Sequence, residues 1–180
     1  MRLIKNLGGI CLADYTAIVD AGASIVEVLR DNMIPEPIPS PDMIGLCSPA
    51  ETGDLSLGLY LYAIKENREY RAPGVMALSL FYIMTAYSNA DYKQRAYDEH
   101  YILGRAIQVL KENALVEGIY LQGSLGQSNE VLRVEQFFIT PDDMQKIWLF
   151  PNVPYRSSVG YIVSPVLIDT FGVGGGPRVG

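Results

Sequence analysis

The chain carries one histidine, His100, directly behind the acidic pair Asp98 and Glu99. An imidazole beside a carboxylate is the arrangement of a general base, because histidine titrates near neutrality. Metal chemistry needs more than this. A di-metal helix places a glutamate three residues before its histidine, and that position is Tyr97. A zinc-protease helix needs two histidines. The spacing also supplies a plainer role, since Ala96, His100, Leu103, Ile107 and Leu110 recur at steps of four and three. That is the apolar stripe of an amphipathic helix, so a structural histidine, buried or half-buried, is expected.

Other candidate chemistry lacks its context. Gly174 to Gly176 are followed by Pro177 rather than by the Gly-Lys-Ser/Thr and helix of a phosphate loop. Ser48, Ser124 and Ser164 stand in no G-x-S-x-G elbow. Asp142 and Asp143 fit helix capping better than glycoside chemistry. Cys11 and Cys47 have no metal-type spacing, and two cysteines do not make a disulfide framework. No catalytic residue, metal or cofactor is expected.

The elements around these residues read as follows. Asp14 caps a helix whose face holds Ile18, Gly22, Ile25 and Leu29 and which stops near Met33. Pro35, Pro37, Pro39 and Pro41 then hold the chain extended. "DLSLGLYLYAIKEN" alternates, with Leu55, Leu57, Leu59 and Leu61 opposite Ser56, Gly58, Tyr60 and Tyr62. "GVMALSLFYIMTAYS" is apolar at both parities, as in a central strand covered on both faces. A polar loop between them predicts an antiparallel hairpin. The His100 helix starts at a Ser88 or Asn89 cap, and Arg95 is expected to pair with Asp91 and Glu99.

Further on, "EGIYLQG" and "VLRVEQFFI" read as strands. Thr140, Pro141 and Asp143 open a helix with Met144, Ile147 and Trp148 on its apolar face. "SSVGYIVSPVLIDTF" is the last strand, with Pro165 at an edge or a bulge. The sum is an α+β domain, a largely antiparallel or mixed sheet packed with helices.

Composition narrows the function. With 180 residues, 49% hydrophobic and 19% charged, the chain can bury a real core. A net charge of -6 argues against nucleic acid as a partner. No stretch approaches the roughly 20 apolar residues of a membrane span, so no membrane insertion is expected. Gly8 and Gly9 interrupt the apolar start, against a secretory signal, and a reducing, cytosolic site of folding is the simplest reading. The 12 tyrosines and rigid proline segments suit protein interfaces instead.

Several segments together resemble one family. They are "DYTAIVDAGASIVEVLRDNM", "TAYSNAD" with "EHYILGRAIQVL", "LQGSL", and "IWLFPNVPY" with "SSVGY". The chain from about Asp14 to Asp169 is similar to the tail-terminator or cap proteins of contractile injection systems, phage-tail-like particles of the virulence-cassette and antifeeding type. The resemblance implies a phage tail-terminator-like fold and no reaction. It implies a homo-hexameric ring that binds the last layers of the inner tube protein and the sheath protein at the baseplate-distal end. Such a ring ends polymerisation and stabilises the extended sheath. Assembly in the cytoplasm as a component of the injection particle is implied as well.

On this reading residues 1–13 are an N-terminal extension, 14–171 the cap domain and 172–180 a flexible glycine-rich tail. Pro35, Glu36, Pro37, Pro39, Tyr70, Arg71, Pro154, Tyr155 and Arg156 are the candidate contact residues. They combine rigid, aromatic and cationic groups. A head-tail or tube-joining adaptor, and a small cytosolic enzyme using His100 with Glu99, are the alternatives.

Overall fold

The alternating leucines and tyrosines set the sheet. In β2 (Leu57–Glu66), Leu57, Leu59 and Leu61 turn towards the main core. Tyr60 and Tyr62 turn the other way, into a second cluster with Ile83, Met144 and Trp148. β3 (Val75–Ala86) pairs antiparallel with β2 and sends Leu80, Tyr82 and Met84 to the first cluster and Ile83 to the second. It is the central strand covered on both faces that its sequence predicts. The structure, a computed structural model, describes residues 13–170. The expected N-terminal extension, apart from Ala13, lies outside the described residues. So do Cys11, Phe171, Gly174 to Gly176 and the rest of the tail.

β6 (Ser158–Asp169) runs antiparallel along the other side of β3 and pairs in turn with β5 (Leu132–Phe137). β4 (Leu115–Val116) closes that side, and β1 (Ile44–Leu46) lies parallel beside β2 at the opposite edge. The order is β1-β2-β3-β6-β5-β4, a mixed sheet in an α+β domain. "EGIYLQG" yields less strand than expected: only Leu115 and Val116, just before it, are paired, and Gly118–Tyr120 form a 3-10 turn. Pro165 sits inside the sheet, not on its edge. The register with β3 slips between Leu78↔Val166 and Leu80↔Val163, a bulge that spares the ladder the proline's missing N–H.

α1 (Ala17–Met33) and α2 (Tyr92–Glu112) cover one face of the sheet. α1 buries Ala21, Ile25, Val28, Leu29 and Met33, and each large side chain fully withdrawn from water contributes about 1.5–3 kcal/mol. Its start differs from the expectation. Thr16 is the cap residue, and the carboxylate of Asp14, two residues earlier, accepts the Thr16 N–H at 2.8 Å. α3 (Pro141–Ile147) lies on the other face with the reading confirmed: Thr140 accepts the Asp143 N–H at 3.2 Å, and Met144 and Trp148 are buried. Asp143 accepts from Thr140 and Lys146, which holds its carboxyl below the usual range. No helix among the described residues is long and apolar enough to cross a membrane.

Where the chain enters α1, it meets the end of β6: the Asp169 N–H donates to the Ala13 carbonyl at 3.0 Å. Glu130 is buried beside this junction, near the backbone N–H groups of Leu167 and Ala13. Neither of its oxygens completes a hydrogen bond of ordinary geometry. Burial pushes its carboxyl above the ordinary 4.5, and the nearby N–H groups only partly oppose this. The folded state therefore holds this proton more tightly than the unfolded chain does. Glu130 favours folding below the unfolded value and loses that contribution as pH rises through the folded one. Glu130→Gln is thus expected to stabilise the protein at pH 7 by about 1–2 kcal/mol and to flatten the decline of stability from acid to neutral pH. Urea unfolding of both proteins across that range reads this directly; parallel pH profiles would refute it.

Candidate functional site

The segments singled out for their combined pattern, "TAYSNAD…EH" and "FPNVPYR", are far apart in the chain and meet in the structure. Asp91 caps α2, its carboxylate accepting the N–H groups of Lys93 at 2.9 Å and Gln94 at 3.2 Å. The expected caps, Ser88 and Asn89, are not used. The Ser88 hydroxyl donates to Asp98 at 2.9 Å and its N–H to Glu99 at 3.3 Å. The other partner of Glu99 is Arg156, as a charge-assisted hydrogen bond. The Arg156 guanidinium also lies 5.5 Å from the centre of the Tyr87 ring. The Tyr87 hydroxyl continues the chain to the Cys47 thiol, and burial pushes both groups up from their ordinary values.

This network fastens the segment between α3 and β6. From below, Trp148 donates its indole N–H to the Pro154 carbonyl at 3.2 Å, and Phe150 packs edge-on against Tyr60 with ring centres 5.7 Å apart. Tyr155 stacks edge-on against Trp148 at 5.7 Å. From above, Leu149 and Tyr155 face solvent, 79% and 59% exposed. Asn152 makes the turn in the left-handed region at φ 62.

The candidate residues fall into separate places. Pro35, Glu36 and Pro39 are exposed and Pro37 half-buried, while Ile38 anchors the arm in the core and donates its N–H to Met33 at 3.1 Å. Tyr70 and Arg71 are exposed in the β2–β3 hairpin, where Arg71 donates to the Arg68 carbonyl at 3.2 Å. Pro154 and Tyr155 are exposed, but Arg156 is committed inward to Glu99 and Tyr87. The sheet register separates them further. Leu57, Ala86 and Ser158 share one end, beside the Pro154 segment, whereas the hairpin lies beyond Val75 at the other. The twelve residues of β3 put these ends roughly 35–40 Å apart at strand spacing.

His100 is not on a buried stripe. It is exposed, as is Ala96, and the buried face of α2 begins only at Ile102 and runs through Leu103, Ala106, Val109 and Leu110. Glu99 serves Arg156 and Ser88, so the two neighbours do not form an acid-base pair. Arg95 reaches the Ala90 carbonyl at 3.3 Å instead of Glu99. Among the described residues no group of three or more histidine, cysteine and acidic side chains is placed to hold a metal ion.

Sequence reasoning missed the exposed aromatic residues Tyr92, Tyr97 and Tyr101 on α2, and the Glu99–Arg156 pair. A signal for the pair does exist: Arg156 is the one charge between Ile147 and Ile168, and a lone charge in an apolar run needs a partner.

The arrangement offers shape and exposed apolar surface. Comparison with known proteins agrees with the architecture. The chain superposes on the sheath/tube terminator, in its extended state, of an extracellular contractile injection system designated PVC, solved by cryo-EM. The TM-score is 0.57 at 14% identity, covering 84% of this chain and 56% of that one. The chain thus spans little more than half the length of that terminator, with which it shares the fold. No curated protein matches it. The family model described as the Pvc16 N-terminal domain matches residues 21–179. Since that match takes in nearly all of the sequence, the chain belongs to the Pvc16 N-terminal domain family.

Proposed function

We propose that this domain terminates the tube and sheath of a contractile injection system. The observation that carries the reading is membership of the Pvc16 N-terminal domain family over residues 21–179, joined to a fold shared with a sheath/tube terminator. In this reading residues 14–171 are the capping domain, and six copies form a ring on the last layers of tube and sheath at the baseplate-distal end. The ring ends polymerisation and holds the sheath extended. The role is structural, without a reaction or a cofactor. Assembly takes place in the cytoplasm, before the particle acts outside the cell.

The exposed proline arm (Pro35, Glu36, Pro39), the hairpin Tyr70–Arg71 and the segment Pro154–Tyr155 are the contact surfaces; the hairpin and the Pro154 segment lie at opposite ends of the sheet, which suits a cap between two kinds of neighbour. A terminator must present one face to a repeating cylinder and another that admits no further layer. Electron microscopy of particles from cells lacking this protein tests the role. Tubes and sheaths of uncontrolled length are expected, and cylinders of normal, uniform length would rule the role out.

A further inference from the structure

We propose that Glu130 works as a proton-sensitive clasp, holding the lead into α1 against the end of β6 while its carboxyl is neutral and releasing it once ionised. It occupies a seam that the sheet leaves open. β5 pairs with β6 from Phe137↔Gly160 as far as Arg133↔Ser164, so among the described residues 165–169 have no strand on that side. Leu167 and Asp169 stand two apart in β6 and turn their N–H groups the same way, into the gap. Ala13 fills one place there, accepting the Asp169 N–H at 3.0 Å. Glu130 fills the other, beside the N–H groups of Leu167 and Ala13. Its two carboxyl oxygens are sealed from water and complete no hydrogen bond of ordinary geometry.

A neutral carboxyl can stay in such a seam, whereas an ionised one without its donors strongly favours water. Water reaches it most readily by a local opening. Among the described residues one backbone hydrogen bond joins Ala13 to β6, while α1 and the sheet are held by the whole core. Burial raises the Glu130 carboxyl above its ordinary value, so the closed clasp binds the proton more tightly than the open one. Closure is therefore favoured in acid and weakens as pH rises through the folded value. The other charged groups of these segments are differently placed. Asp14, next to Ala13, holds the Thr16 N–H on its carboxylate, and Asp169 ends β6 half-buried. Arg133, the nearest cation along β5, is exposed and paired with Glu135 at 3.5 Å. Ser128 is neutral, its hydroxyl accepting the Glu130 N–H at 3.3 Å.

Amide exchange of the full chain, followed residue by residue by NMR and corrected for the intrinsic effect of pH, tests the clasp. The Thr170 N–H, bonded to the Gly74 carbonyl at 2.9 Å on the β3 side, is the internal reference. From about pH 5 to about pH 8 the protection of the Asp169 N–H is expected to fall about tenfold against that reference. E130Q, which cannot ionise, is expected to hold it within about twofold over the same range. D14N and D169N are expected to keep the pH dependence of the parent. Equal protection at both pH values, or E130Q following the parent, overturns the proposal. So does loss of the pH dependence in D14N or D169N, which moves the control to that carboxylate. A fall at Thr170 in step with Asp169 overturns it as well, because the whole end of the sheet would then be opening.

Discussion

Gly123→Ala is expected to lower stability by about 2–4 kcal/mol, and Gly118→Ala by only about 1–2 kcal/mol. Both glycines are left-handed, at φ 56 and φ 60, so both alanines meet the same backbone penalty. Their surroundings differ. A Cβ on Gly118 meets nothing within 4 Å, whereas one on Gly123 would stand 2.2 Å from the Asp20 carboxylate. Asp20 cannot withdraw freely. Its Oδ2 accepts the Ser124 N–H at 2.9 Å, the Ser124 hydroxyl at 2.6 Å and the Thr16 hydroxyl at 2.7 Å. One turn on, Ser24 donates to the Asp20 carbonyl at 2.6 Å and accepts the Gln122 N–H at 2.9 Å. These bonds seat the 120–128 segment, with Leu121 and Leu125 in the core, on α1. Alanine at 123 forces the carboxylate off its donors, leaving them part-buried without an acceptor. Thermal unfolding should show a fall of about 5–15 °C for Gly123→Ala. Equal losses at the two positions would mean that Asp20 yields without cost.

What the sequence discloses depends on how far apart the deciding residues are. The α3 start was legible because Thr140, Pro141 and Asp143 settle it among themselves. β2 and β3 were legible because their faces meet different neighbours, the leucines a helical core and Tyr60 and Tyr62 the α3 cluster. β1 was not, since three residues in a parallel pair give no period to read. The stripe through His100 misled for a physical reason. The spacing extends back to Ala96, but the first turns of α2 bury no side chain, and periodicity cannot report where a helix outruns its cover. The caps at Ser88 and Asn89 failed because Ser88 finds its acceptor ten residues away, in Asp98. Of the candidate contact residues, exposure was legible in all but Pro37, half-buried beside the anchoring Ile38, and Arg156, whose partner lies 57 positions away.

That long-range pair gives the other large effect. Arg156→Ala is expected to cost about 2–4 kcal/mol, because the two side chains are only 20% and 15% exposed. Fully exposed pairs are worth about 0–1 kcal/mol, while breaking a buried one costs about 3–5 kcal/mol by stranding the other charge. Here Glu99 would keep a single donor, the Ser88 N–H at 3.3 Å, and Tyr87 would lose the cation on its ring. Arg156→Glu should cost more, since it sets two carboxylates together. Arg156→Lys should recover the charge but little of the planar stacking. Arg71→Glu provides the contrast: its guanidinium is exposed and bonds only the Arg68 carbonyl, so a change within about 0.5 kcal/mol is expected. Urea unfolding of Glu99→Ala, Arg156→Ala and the double variant should give a coupling of about 1–2 kcal/mol, and strict additivity would dissolve the pair. The contrast also decides how assembly data are read. A capping defect in Arg71→Glu reports on the hairpin surface itself. The same defect in Arg156→Glu reports first on a displaced Leu149–Tyr155 segment, and only through it on whatever that segment touches.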